Sequence, residues 1–182
     1  MARSFGNKKT WDTPFPELIR RYGAEADQAV FCSGHECHAR CADVLDHAAD
    51  DYDLVYLDPP YISAKGSGVD YLDYYHFLEG LSCPDRWSDR ILDRYKHKPL
   101  AGKGESRWCD RRRIGDAFEQ VIDHYGSTQL VVSYRSDGIP SVDEIAGYLT
   151  RAGKRVELVD AGKYTYALSR NRRSREAVLV GR

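Results

Sequence analysis

The sequence predicts an α/β domain built on a mixed sheet, and three observations carry that prediction. Leu54-Val55-Tyr56-Leu57 is a continuous apolar run closed by Asp58-Pro59-Pro60. That is the pattern of a central strand buried on both faces and stopped by residues that cannot extend the ladder. Ile114, Ala117, Phe118, Val121, Ile122 and Tyr125 recur at helical spacing, and a second apolar run, Leu130 to Tyr134, follows them. Near the C-terminus, Val156 to Val159, Tyr164 to Leu168 and Ala177 to Val180 are short strand-like runs divided by Gly162 and by the basic turn Arg170 to Arg175. Their short connections favour antiparallel pairing, so the sheet is mixed.

The other elements follow in order. Thr13-Pro14 reads as an N-cap with proline at the first helical position, ahead of a helix carrying Leu18, Ile19 and Tyr22 on one side. Ile62 to Asp70, with Gly66 and Gly68, reads as a flexible loop. Leu72, Tyr75, Leu78 and Leu81 mark a helix from Tyr71 to Leu81, stopped by Cys83-Pro84. Residues 84–110 are polar and irregular, an excursion with at most short helices and too long for an ordinary connection. Gly126 ends the helix that starts near Ile114. After an Asp137-Gly138 turn, Ser141 and Glu144 form a capping box for a helix reaching about Ala152.

The chain has 182 residues, 42% of them hydrophobic, enough to bury about 70% of the surface its unfolded form exposes. A single domain spanning 1–182 is the economical reading, with an irregular, helical lead-in over 1–50 and a sheet-and-helix core over 51–182. The formal net charge of −1 excludes grip on nucleic acid through bulk charge alone. Local basic clusters would have to supply it: Lys96-His97-Lys98, Arg111-Arg112-Arg113 and Arg170 to Arg175. No apolar run approaches the ~20 residues of a membrane span, and no signal peptide is recognisable at the N-terminus, so a cytoplasmic protein is expected. Five cysteines fit reduced thiols better than a disulfide framework.

Two stretches invite chemistry. Cys32 to Cys41 packs three cysteines and two histidines into ten residues. Its spacing lacks the two separated Cys-x2–4-Cys pairs of zinc ribbons, and one compact cluster would strain to aim four ligands at a tetrahedral centre, so no metal is expected there. The stronger stretch is Asp58-Pro59-Pro60-Tyr61. A carboxylate, two prolines and an aromatic at the carboxyl end of a buried strand set a rigid polar turn where open α/β sheets place ligands.

On that tetrapeptide the sequence resembles the adenine-specific DNA methyltransferases, whose signature is Asp-Pro-Pro-Tyr. The resemblance extends to Tyr71 through Gly80, Val131 through Pro140 and Gly162 through Ser169. It implies a methyl group passed from S-adenosylmethionine to the exocyclic amino group of adenine in double-stranded DNA. By the same resemblance Asp58 and the Pro59 carbonyl accept the two amino hydrogens and Tyr61 stacks on a base flipped from the duplex. Pro60, Lys65, Tyr71 and Arg135 are placed with the substrate, and the Gly66 and Gly68 loop with Lys65 would close over the flipped nucleotide, with an ordinary surface loop as the competing reading. Upstream of Asp53 neither the family's glycine-rich turn nor its ribose-binding acid is visible. Asp43 is the one candidate for contact with the cofactor, with a solvated carboxylate as the competing reading.

The resemblance therefore implies a partial S-adenosylmethionine-dependent methyltransferase (Rossmann-like) fold whose N-terminal strands are missing. An open sheet edge follows, and with it either a separately encoded N-terminal half or an inactive remnant. A non-catalytic DNA-binding or target-recognition subunit is the alternative from another class. Related turns also serve RNA and protein amino groups, more often with asparagine in place of the aspartate, and cytosine in DNA is a weaker competitor.

Overall fold

The computed structural model describes residues 8–65, 68, 70–82, 84–96, 98–101, 106–163 and 174–182, without the side chains of 8, 9, 71–74, 79, 86, 160, 161 and 163. The chain divides into two units, Met1–Cys41 and Ala42–Arg182.

The first unit contains helices α1 (Lys8–Asp12) and α2 (Phe15–Ala29). Pro14, not Thr13, occupies the N-cap of α2, and no side chain caps that helix end. Proline's preset φ starts the helix without a side-chain oxygen. The apolar side of α2 is uncovered, with Phe15 72% and Ile19 56% exposed.

In the second unit, strands β1 (Leu54–Leu57), β3 (Gln129–Arg135), β5 (Val156–Lys163) and β6 (Arg175–Gly181) form one sheet in the order β1-β3-β6-β5. β1 runs parallel to β3, while β3–β6 and β6–β5 are antiparallel, so the sheet is mixed. The run Tyr164 to Leu168, expected as a strand, lies outside the described residues, as do 170–173 of the basic turn. A second, two-stranded sheet pairs β2 (Ile62–Ser63) with β4 (Gly138–Ile139).

Between the strands run α3 (Tyr71–Ser82), kinked at Tyr75, α4 (Pro84–Trp87), α5 (Ile114–His124) and α6 (Val142–Arg151). The excursion holds α4, short 3-10 turns and a bridge between Ile91 and Leu100. Ser141 and Glu144 close the expected capping box on α6, and the bonds from the Ser141 amide and hydroxyl hold the Glu144 carboxyl below its ordinary pKa.

The core lies on the face carrying Leu57, Leu130, Val132, Tyr134 and Leu179, against Ile114, Phe118, Val121 and Ile122 of α5 and Ile145 and Leu149 of α6. Alternation explains the choice, because residues 130, 132 and 134 share one side of β3. Lys154, only 7% exposed, ties the end of α6 to the start of β3 by donating to the carbonyls of Gly126 at 2.9 Å and Thr128 at 2.6 Å.

Two expectations are corrected. β1 is not buried on both faces: it stands at the sheet edge, and Leu54 and Tyr56 remain 48% and 56% exposed. These two share the side opposite the core with Val131, Val178, Val180 and the 44% exposed Val159. A continuous apolar run predicts burial only when elements cover both sides, and α5 and α6 pack on one. Nor is Ile62 to Asp70 wholly a loop. Ile62 is fully buried in β2 and bridges Gly68, where a Cβ would stand 2.7 Å from the Cys109 carbonyl oxygen.

Candidate active site

The turn Asp58–Tyr61 begins where β1 ends, at the carboxyl end of the parallel pair β1/β3. In this register Leu57 lies opposite Val132, so Ser133, Tyr134 and Arg135 extend past β1 on the side where the turn leaves the sheet. The two prolines give up their amide hydrogens and fix φ, which is why the chain abandons the ladder here.

The turn is then fastened twice. Its outgoing end enters β2, which pairs with β4, so Ile62 faces Ile139 and Ser63 faces Gly138. Beneath that pairing stands the fully buried Tyr134, whose hydroxyl accepts a hydrogen bond from the Ile62 amide at 3.3 Å and donates to the Ile139 carbonyl at 2.6 Å. Its ring meets Tyr61 at a centroid distance of 5.2 Å and an interplanar angle of 84°. Below it, Phe118 packs at 5.4 Å, and Trp108 packs on Phe118 at 5.2 Å. A ladder of edge-to-face aromatic contacts thus connects the α5 core to the turn, an arrangement that aromatic quadrupoles favour.

Asp58 is exposed, while Pro59, Pro60 and Tyr61 are half-buried. The Tyr61 hydroxyl donates to Asp58 Oδ1 at 2.5 Å. A carboxylate oriented by a phenol, with its second oxygen on a rigid turn at the surface, is an acceptor for an amino hydrogen of a ligand.

Arg135, at the end of β3, makes a bidentate pair with Asp137, Nε to Oδ1 at 2.7 Å and Nη2 to Oδ2 at 3.0 Å. Ser174 donates to the same Asp137 oxygen at 2.7 Å. Asp137 therefore already holds this guanidinium, which is 14% exposed. Lys65 is exposed just beyond β2. Tyr71 is the first residue of α3, with its side chain outside the description. Asp43 is exposed and accepts from the Leu45 amide at 3.0 Å, capping the 3-10 turn Val44–Asp46. That turn is anchored by the Tyr125 hydroxyl, which donates to the Val44 carbonyl at 2.7 Å. Burial raises the Tyr125 pKa above the ordinary phenol value.

The structure thus joins Asp58, Pro59, Pro60 and Tyr61 in one turn and adds residues that sequence reasoning missed as a set: Tyr134, Ile62 and Gly138. The available signal was the alternation Leu130, Val132, Tyr134, which puts a tyrosine at the core-facing carboxyl end of β3. The cluster from Cys32 to Cys41 is exposed throughout, and among the described residues no group of His, Cys, Asp and Glu converges to hold a metal.

Over 101 residues, 56% of its length, the chain is 30% identical to the Type II methyltransferase M.FokI of Planomicrobium okeanokoites, covering 14% of that protein. Over 105 residues, again 56% of its length, it is 28% identical to the Type II methyltransferase M.NlaIII of Neisseria lactamica, covering 28% of it. The chain therefore spans less than a third of either curated relative. No protein-family model and no solved structure matches it. A mixed α/β unit with a four-stranded mixed sheet is consistent with part of a methyltransferase fold.

Proposed function

We propose that this chain is the base-binding, catalytic part of a site-specific DNA methyltransferase that modifies the exocyclic amino group of adenine, within a restriction-modification system. The observation that carries the reading is the Asp58–Tyr61 turn, fixed at the carboxyl end of β1 with the Tyr61 hydroxyl on the Asp58 carboxylate. Similarity to two Type II methyltransferases supports it.

The chemistry follows from the target. An adenine amino nitrogen delocalises its lone pair into the ring and is a poor nucleophile. Two acceptors held in advance, the Asp58 carboxylate and the Pro59 carbonyl, would take its two hydrogens and favour a pyramidal nitrogen with a directed lone pair. The half-buried Tyr61 ring would offer the flipped base a stacking partner, worth ~1–3 kcal/mol. Pro60, Lys65, Tyr71 and Arg135 are the further substrate contacts of this reading; for Arg135 that requires a shared or exchanged pair with Asp137.

S-adenosylmethionine is the methyl donor in this proposal, supplying an electrophilic methyl group when bound. The described residues do not fit the whole cofactor. Asp43, the one candidate, accepts from the Leu45 amide as the cap of a 3-10 turn, and the sequence offers no glycine-rich turn beside it. The proposal therefore assigns the rest of that pocket to an N-terminal methyltransferase half. The β1 edge and the exposed side chains of Leu54 and Tyr56 support such a partner, because parallel strands are ordinarily covered on both faces. None of the described helices is long and apolar enough to cross a membrane.

The test is transfer of labelled methyl groups from S-adenosylmethionine to duplex DNA, by the chain alone and with a complementing half. Asp58→Ala is expected to lower kcat by about 100- to 1000-fold with DNA binding retained. Unchanged transfer would remove Asp58 from the mechanism. A second reading, a DNA-binding or target-recognition subunit without catalysis, is favoured by residues 84–113, where ten Lys/Arg stand against five Asp/Glu in a chain of net charge −1. Salt-dependent DNA binding without transfer under any of these conditions would select it.

A further inference from the structure

We infer that Tyr134 is a positioning residue for the reaction, which sets the Tyr61 ring and holds the Asp58–Tyr61 turn in place from below. The inference rests on the reading of that turn as the base-binding element. Three observations converge on it. The Tyr134 hydroxyl bridges the two segments that leave the site, accepting from the Ile62 amide at 3.3 Å and donating to the Ile139 carbonyl at 2.6 Å. Ile62 directly follows Tyr61, so this bridge fixes the backbone on which Tyr61 stands. The Tyr134 ring lies 5.2 Å from that of Tyr61 and nearly perpendicular to it, while Phe118 supports Tyr134 from the core at 5.4 Å. Finally, the strand opposite leaves room for this ring only because position 138 is glycine: a Cβ there would stand 2.4 Å from Tyr134 Cε1.

The geometry makes a polar side chain useful where an apolar one would fill the same core position. Phenylalanine at 134 would pack equally against Phe118 but would leave the Ile62 amide and the Ile139 carbonyl without this partner. The post-proline segment would then be held by the short β2–β4 pairing and the Ile62–Gly68 bridge, and Tyr61, with the carboxylate it orients, would sample more arrangements. Methyl transfer depends on alignment of base and donor, and a displacement of about 1 Å can cost about 100-fold in rate. Tyr134 acts through Tyr61 and needs no contact with the substrate.

A double-mutant cycle on methyl transfer in the presence of the complementing N-terminal half tests this, using wild type, Tyr134→Phe, Tyr61→Ala and the double variant, with amide hydrogen exchange at Ile62 measured on the same proteins. Tyr134→Phe is expected to lower kcat about tenfold with KM changed less than about twofold. The Ile62 amide is expected to lose protection. The double variant is expected to be no slower than Tyr61→Ala alone, since residues acting through one another are not additive. Multiplicative losses in the double variant, or Ile62 protection unchanged in Tyr134→Phe, overturn the inference. A wild type inactive even with the complementing N-terminal half, or a Tyr61→Ala variant with full activity, removes instead the function reading on which it rests.

Discussion

Asp58–Tyr61 and Cys32–Cys41 are the two stretches where this sequence concentrates chemistry-bearing side chains, and the fold treats them in opposite ways. The first is tied to distant parts of the chain: Tyr61 meets Tyr134, and Ile62 bonds to it and pairs with Ile139. The second is exposed along its whole length, and three of its interactions are internal: the His35 amide to Ser33 Oγ, Cys37 Sγ to the His35 carbonyl, and His38 to Glu36. Reactive residue types close in sequence do not make a site. What makes one is attachment to a core that fixes where the side chains point, because only fixed groups lower the entropy cost of alignment.

The largest effect that would sharpen this contrast comes from below the turn. Phe118→Ala removes the ring between Trp108 and Tyr134 and is expected to destabilise the fold by about 3–5 kcal/mol, read from urea unfolding. The triple variant Cys32→Ser, Cys37→Ser, Cys41→Ser belongs at the other extreme. Between them lies Tyr61→Phe, which deletes the bond to Asp58 Oδ1 while keeping the ring, with an expected loss of about tenfold in kcat. Activity equal to wild type would mean that the carboxylate needs no phenol to orient it.

Ser141→Ala gives a smaller, purely local effect, about 1 kcal/mol of stability lost at pH 7 by removal of the α6 cap. Its pH dependence has a definite sign. The Glu144 carboxyl is held below its unfolded value of 4.5 by the Ser141 amide and hydroxyl. This contribution is fully present above about pH 4.5 and disappears as pH falls through the lowered folded pKa. Unfolding at pH 7 and pH 3 should therefore show the gap between wild type and variant narrowing on the acid side. Smallest of all, the triple cysteine variant is expected to change stability by less than about 0.5 kcal/mol, with zinc content unchanged. A large loss on that triple substitution, or stoichiometric zinc in the purified protein, would break the comparison.

Much was legible in particular residues. The spacing of Ile114, Phe118, Val121 and Ile122 placed α5, because one helical stripe reports one buried face. The pair Ser141 and Glu144 placed the start of α6, because a capping box is satisfied within four residues. The Asp-Pro-Pro-Tyr tetrapeptide located the candidate site, because two prolines force a turn wherever the strand ends. Less legible were elements whose partners are far away. The pairing of β2 with β4 joins two-residue strands more than seventy positions apart, too short to carry a period. Lys154 reads as one more surface lysine, yet it is buried on the carbonyls of Gly126 and Thr128, and burial lowers its pKa.

By itself, then, the sequence determined the α/β class, the helices with a single apolar stripe, the cap of α6 and the turn that carries Asp58. Each of these is set by residues within a few positions of one another, where steric and hydrogen-bonding preferences act directly. Only the tertiary structure decided that β1 lies at a sheet edge with Leu54 and Tyr56 exposed, that Arg135 is held by Asp137, and that Tyr134 reaches under the turn to Ile62 and Ile139. Those outcomes depend on which surfaces remain to be covered once strands distant in sequence have paired, and local preference does not encode that.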